Sequence, residues 1–180
     1  MKVLGTIFAL FLLTLISVVH GAGADDCVPS RSFSEEQPPS YCPSGYVVKG
    51  ISCYGRYCDN KTLKCCRYTR TYDRSAAFGW SSWFSEESDR VRRNYAITEL
   101  GFVVGVACRG AYCDDLRLNF MRSPNLQNLR QCYWTGEFSE EQQRGNTREC
   151  GSGYFVSGIK CTGPYCDNLN LYCCRARSAQ

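Results

Sequence analysis

The residues best suited to chemistry in this chain recur three times. Tyr57-Cys58-Asp59-Asn60, Tyr112-Cys113-Asp114-Asp115 and Tyr165-Cys166-Asp167-Asn168 each set an aromatic ring two residues before a carboxylate. Each follows a Phe-Ser-Glu-Glu element, which contributes Glu35, Glu86 and Glu140. A carboxylate or amide acceptor beside an aromatic platform suits sugars, and clustered carboxylates suit a cation. Glu35, Tyr57, Asp59, Glu86, Tyr112, Asp114, Glu140, Tyr165 and Asp167 are therefore the candidate ligand-binding residues. A structural role competes with this one. Asp and Asn cap turns by bonding nearby backbone, and a scaffold must recur in every unit whereas a ligand site need not.

Catalysis has little to work with. Neighbouring Glu residues on a strand face opposite ways, so they cannot flank one glycosidic bond as a hydrolase pair does. The single histidine is His20, inside what reads as a leader. Without histidine, Ser-His-Asp and Cys-His nucleophiles and most catalytic zinc sites are excluded. We expect no catalytic residues, no metal and no cofactor. Thiolate zinc is disfavoured by a C-x4-C followed by C-C, which is not the paired C-x2-C knuckle.

Residues 1–24 have a lysine at position 2, an apolar run from Val3 to Val19 and small residues after it, the layout of a secretory signal peptide. No later segment is apolar enough to span a bilayer, so a secreted, extracellular protein without a membrane span is expected. Cleavage after Ala24 removes only Lys2 among the charged residues, taking the net charge from +4 to +3. The basic residues are not clustered on one element, which argues against nucleic acid. Fourteen cysteines in so short an exported chain signal a disulfide scaffold.

The cysteines lie on three repeats, at about 27–70, 78–123 and 132–176. The first reads Cys42-Pro-Ser-Gly-Tyr-Val-Val-Lys-Gly50-Ile-Ser-Cys53 and ends in Leu63-Lys-Cys-Cys-Arg67. The third reads Cys150-Gly-Ser-Gly-Tyr-Phe-Val-Ser-Gly158-Ile-Lys-Cys161 and ends in Leu171-Tyr-Cys-Cys-Arg175. The middle repeat keeps only Cys108 and Cys113, with Phe78, Ile97, Phe120 and Met121 at the other four positions by residue count. Apolar substitutes suit positions that face a core.

The surviving pair makes Cys108–Cys113 a bridge, and by analogy Cys53–Cys58 and Cys161–Cys166. Adjacent cysteines on a strand point to opposite faces, so Cys65 and Cys66 take different partners. Two pairings stay open for Cys27, Cys42, Cys65 and Cys66. Either Cys27 joins Cys65 and Cys42 joins Cys66, or the reverse. The same choice holds for Cys132, Cys150, Cys173 and Cys174. Strands are expected at Tyr46–Cys53 and Tyr154–Cys161, and at Leu116–Phe120 and Leu169–Cys173, where alternation turns Leu118, Phe120, Leu171 and Cys173 inward. Trp80, Trp83 and Trp134 suggest a further strand with aromatic anchors. One such unit cannot bury a sufficient core, so residues 25–180 are expected to form a single disulfide-stapled all-β domain. Its expected form is a pseudo-threefold β-prism, with a β-trefoil as the alternative.

Trp80-Ser-Ser-Trp83, Cys42-Pro-Ser-Gly-Tyr-Val-Val-Lys-Gly50, Asp167-Asn168 and Leu169-Asn-Leu-Tyr-Cys-Cys174 together resemble the repeat of vitelline membrane outer layer protein I. That resemblance implies three repeats in a β-prism, a shape shared with several lectins. The chain departs from that family at the tight C-x4-C loop. Cys65-Cys-Arg-Tyr68 is similar to a repeat ending in dermatopontin, a matrix protein. The expected function is a secreted, non-enzymatic protein that binds glycans or matrix and coat components. A venom or host-defence effector acting on a foreign membrane or receptor is the alternative, and a carbohydrate-active enzyme, a glycan transferase or hydrolase, comes third. Asn60-Lys-Thr62 is a candidate N-glycosylation sequon, and Arg90-Val-Arg-Arg93 resembles a dibasic processing site.

Overall fold

A computed structural model describes residues 26–68, 77–87, 93–122, 129–139 and 147–175. The leader at 1–24, Glu140 and residues 90–92 of the basic run lie outside the described residues, as does the side chain of Phe78.

The strands run in chain order as β1 (Cys27–Pro29), β2 (Ser40–Tyr41), β3 (Tyr46–Tyr54), β4 (Asn60–Arg67), β5 (Ala77–Trp80), β6 (Tyr95–Ile97), β7 (Gly101–Arg109), β8 (Asp115–Arg122), β9 (Arg130–Trp134), β10 (Thr147–Glu149), β11 (Tyr154–Thr162) and β12 (Asn168–Arg175). They form three four-stranded sheets, ordered β1-β4-β3-β10, β5-β8-β7-β2 and β9-β12-β11-β6. All pairings are antiparallel. Among the described residues no helix is long and apolar enough to cross a membrane.

Each repeat builds the long hairpin of one sheet and gives a short strand to the next. β2 of the first repeat pairs with β7, β6 of the second with β11, and β10 of the third with β3. The exchange closes in a ring. It depends on a bulge at the same place in each inner strand, between Val48 and Gly50, Val103 and Gly105, and Val156 and Gly158. An extra residue bends a strand and re-aims its groups. Here the carbonyls of Lys49, Val104 and Ser157 accept the N–H groups of Cys150, Cys42 and Thr98, at 2.9, 2.8 and 2.9 Å.

Those bonds correct one equivalence drawn by counting residues. Thr98, not Ile97, occupies the place of Cys42 and Cys150. The middle repeat is one residue shorter in the turn that follows, where Thr98 Oγ1 accepts the Leu100 N–H at 3.1 Å. Ile97 sits on β6 opposite Gly158 and is 37% exposed. Phe120 and Met121 are buried, as are Leu118, Leu171 and Cys173.

Seven cysteine pairs are at bonding distance: Cys27–Cys66, Cys42–Cys65, Cys53–Cys58, Cys108–Cys113, Cys132–Cys174, Cys150–Cys173 and Cys161–Cys166. Of the two pairings open in the sequence, the structure takes the one joining Cys27 to Cys66 and Cys42 to Cys65. Every bridge closes within one repeat. The repeats are joined without disulfides, by the hydrogen bonds of the exchanged strands and by a core that includes Phe33, Ile51, Leu63, Phe84, Val106, Leu118, Phe138, Ile159 and Leu171. A second apolar cluster gathers Val47, Tyr68, Phe102 and Met121 near the starts of the inner strands. Its Tyr68 and Phe102 rings are 5.3 Å apart.

The three bulged residues differ. Lys49 is 3% exposed, and its Nζ donates to the carbonyls of Gly151 and Tyr154 at 2.7 and 3.0 Å, tying the first repeat to the third. Ser157 is fully buried, with no partner for its hydroxyl among the described residues. An unpaired buried hydroxyl carries a desolvation cost of about 1 kcal/mol or more. Ser157→Ala should therefore raise the thermal midpoint by a few degrees, as read by differential scanning calorimetry. A lower midpoint would mean that the hydroxyl is satisfied in solution.

Candidate functional site

The three Gly-x-Tyr-Cys-Asp segments converge where the inner strands end. Gly55, Gly110 and Gly163 take positive φ of 79°, 77° and 72°, and Tyr57, Tyr112 and Tyr165 follow in the left-handed region at 56°, 55° and 57°. Each left-handed non-glycine residue costs roughly 1–2 kcal/mol. The adjacent disulfide and the Asp side chain hold the turn against that cost. The carboxylates of Asp59, Asp114 and Asp167 occupy the space over these glycines, where a Cβ would sit. Asp59 accepts the Asn60 Nδ2 at 2.5 Å and Asp167 accepts the Asn168 Nδ2 at 2.8 Å. The Asp residues therefore brace the turns. Asn60, the sequon residue, is half-buried and engaged in the same way.

In the middle repeat Asp115 replaces the asparagine and pairs with Arg109 at 2.9 Å. Burial, reinforced by the negative charge of Asp115, raises the Asp114 pKa above its ordinary value.

The segments interlock around the meeting point. Cys58 Sγ lies 3.0 Å from the Asp167 carbonyl, Cys113 Sγ 3.2 Å from that of Asp59, and Cys166 Sγ 2.7 Å from that of Asp114. These sulfurs are in disulfides and carry no proton, so the contacts are packing contacts and not hydrogen bonds. The Tyr57, Tyr112 and Tyr165 rings form one cluster with centroids 5.1, 5.1 and 5.3 Å apart. Sequence spacing suggested three separate polar sites, and the structure brings their aromatic members to a single point.

The glutamates reach across repeats. Glu86 accepts the Tyr165 N–H at 2.7 Å, while Glu35 lies 3.9 Å from Cys113 Sγ. Burial is the main cause that raises the Glu86 pKa, helped by the charges of Asp114 and Glu87 and opposed by backbone N–H donors. A carboxyl with a raised folded-state pKa favours the fold when protonated. Its contribution is full below the unfolded pKa and is lost as pH rises through the raised value. Glu86→Gln, whose amide oxygen can still accept the Tyr165 N–H, should flatten the pH dependence of the urea midpoint just above the ordinary glutamate range. An unchanged profile would show that Glu86 does not titrate in this way.

A second feature went unread in the sequence. Where β6 leaves its own repeat for the third sheet, an open cleft of about 500 Å³ lies between it and residues Ser81–Phe84. Trp83 and Tyr95 line it together with Ser81, Ser82, Arg93 and Phe120. Two arginines pack against the Trp83 ring. Arg109 and Arg117 lie 4.3 and 4.5 Å from it, and Arg117 also lies 4.5 Å from Trp80. Arg93 Nη1 donates to the Tyr95 hydroxyl at 3.3 Å. The Trp80-Ser-Ser-Trp83 motif was the one available signal. Arg93 and Tyr95 had none, because only strand exchange places them opposite it.

The fold and these sites define a disulfide-stapled all-β protein with an aromatic cap and an aromatic cleft. No family model, curated protein or solved structure matches the chain.

Proposed function

We propose that this chain is a secreted, non-enzymatic protein of pseudo-threefold β-prism form that binds glycans or glycan-bearing matrix and coat components. The cyclic strand exchange supports the prism reading: three like sheets each borrow an edge from a neighbour. The cleft beside Trp83 carries the binding reading. Its volume is in the range of small-ligand sites, and it combines aromatic rings with a few polar groups, as such sites do. Sugars offer apolar C–H faces to rings and hydroxyls to serine and arginine. The Asp59, Asp114 and Asp167 carboxylates sit over the turn glycines, away from this cleft's lining residues.

A glycan array probed with the oxidised protein should return binders. For the strongest, Trp83→Ala and Tyr95→Ala should each weaken binding about tenfold, the equivalent of 1.4 kcal/mol. Absence of any binder, or binding indifferent to both variants, would overturn this reading. Lysis of cells or vesicles without glycan binding would favour the venom or defence effector instead.

A further inference from the structure

The tyrosine cap carries an inference independent of the cleft. Tyr57, Tyr112 and Tyr165 come from three different repeats, and their rings touch pairwise at centroid distances of 5.1 to 5.3 Å. Tyr165 is 38% exposed, so an oxidant can reach the cluster. Arg56 donates to the Tyr57 hydroxyl at 3.2 Å, and its guanidinium lies near enough to all three phenols for each to raise its pKa. No disulfide joins one repeat to another.

We propose that Tyr57, Tyr112 and Tyr165 form an oxidative cross-linking site, at which two of the three rings couple into dityrosine and join separate repeats covalently. Each of two phenols loses one electron and its hydroxyl proton to become a phenoxyl radical. The radicals join through ring carbons ortho to oxygen. The hydrogens on those carbons then move to the oxygens and restore both aromatic rings. Two electrons and two protons leave in all. Hydrogen peroxide, acting through a haem peroxidase, accepts them and becomes two molecules of water.

The rings are already in contact, so coupling needs ring rotation and no large movement of the backbone. Proximity of this kind favours the intramolecular product over coupling between molecules. Tyr41 is more exposed than Tyr165 and its ring packs on Trp80, so it serves as an internal control. If exposure alone governed the reaction, it would react first. Tyr133 touches Tyr154 at 5.2 Å, but both belong to the third repeat, so coupling there would join no two repeats.

The experiment treats dilute, oxidised full-length protein with a haem peroxidase and limiting hydrogen peroxide. The expected result is dityrosine fluorescence in a monomer whose mass is lower by two hydrogen atoms. After reduction and digestion, the cross-linked peptides should pair two of the segments holding Tyr57, Tyr112 and Tyr165. Tyr57→Phe/Tyr112→Phe/Tyr165→Phe keeps the rings and should lose the cross-link between repeats, whereas Tyr41→Phe should keep it. A map that places the linkage at other tyrosines, a product made only of covalent dimers, or no dityrosine would each overturn the proposal. The wild-type map decides the matter even if the triple variant fails to fold.

Discussion

Gly158→Ala should destabilise the protein by roughly 3 kcal/mol and release the exchanged strand β6, the upper part of the usual cost of forcing atoms into a packed site. A Cβ on Gly158 would sit 2.6 Å from the Ala96 carbonyl oxygen and 2.9 Å from the Ile97 Cα. Both are backbone atoms of the strand paired against it, so no side-chain rotation relieves the contact. Gly50→Ala should behave alike, because its Cβ would lie 2.5 Å from the Arg148 carbonyl oxygen and 3.0 Å from the Glu149 Cα on β10. Gly105 differs. There the nearest atoms belong to the ring of Tyr41, at 2.7 and 3.0 Å, and that side chain is 51% exposed. Gly105→Ala should thus cost about 1 kcal/mol, since a flexible ring can give way. Urea denaturation of the three variants measures this ordering. Equal losses at all three sites would show that the inner strands do not meet their borrowed partners so closely. A displaced strand can also pair with another molecule, so Gly158→Ala and Gly50→Ala should show more dimer by light scattering.

Removing the Cys150–Cys173 bridge with paired serines should cost about 3 kcal/mol, against about 2 kcal/mol for Cys161–Cys166, on the chain-entropy account in which longer closed loops matter more. The two pairs are separated by 23 and 5 residues. Position adds to length. Cys150 follows β10 directly, so its bridge ties the strand lent to the first sheet back to its own repeat. Cys42 does the same for β2. Thr98 offers β6 no such tie. Hydrogen exchange should therefore be fastest for the β6 amides among the three exchanged strands, and loss of Cys150–Cys173 should bring β10 to the same level. If the five-residue bridge proved the more costly to remove, the anchoring role would fall.

The fold was legible in proportion to how locally it is encoded. The hairpins of β3 with β4 and β11 with β12 follow from alternation, because one face of each is buried and a one-residue slip would invert it. Cys65 and Cys66 could be assigned different partners from strand geometry alone, but not which partners. The structure sets Cys27 opposite Cys66 on paired strands, which decides the matter. The three tyrosines were legible as a repeat but not as a cluster, since they are at least 53 residues apart in sequence and meet only when the sheets assemble.

The sequence alone determined the repeat, the strand periodicity, the cysteine-rich framework and the apolar replacements at Phe120 and Met121. Each of these depends on a residue's own chemistry or on neighbours a few positions away. Only the tertiary structure decided that β2, β6 and β10 cross between sheets, that Thr98 and not Ile97 matches the missing cysteine, and that Trp83 and Tyr95 line one cleft. Those relations depend on which backbone groups meet over long sequence separations, and no local pattern of side chains specifies that.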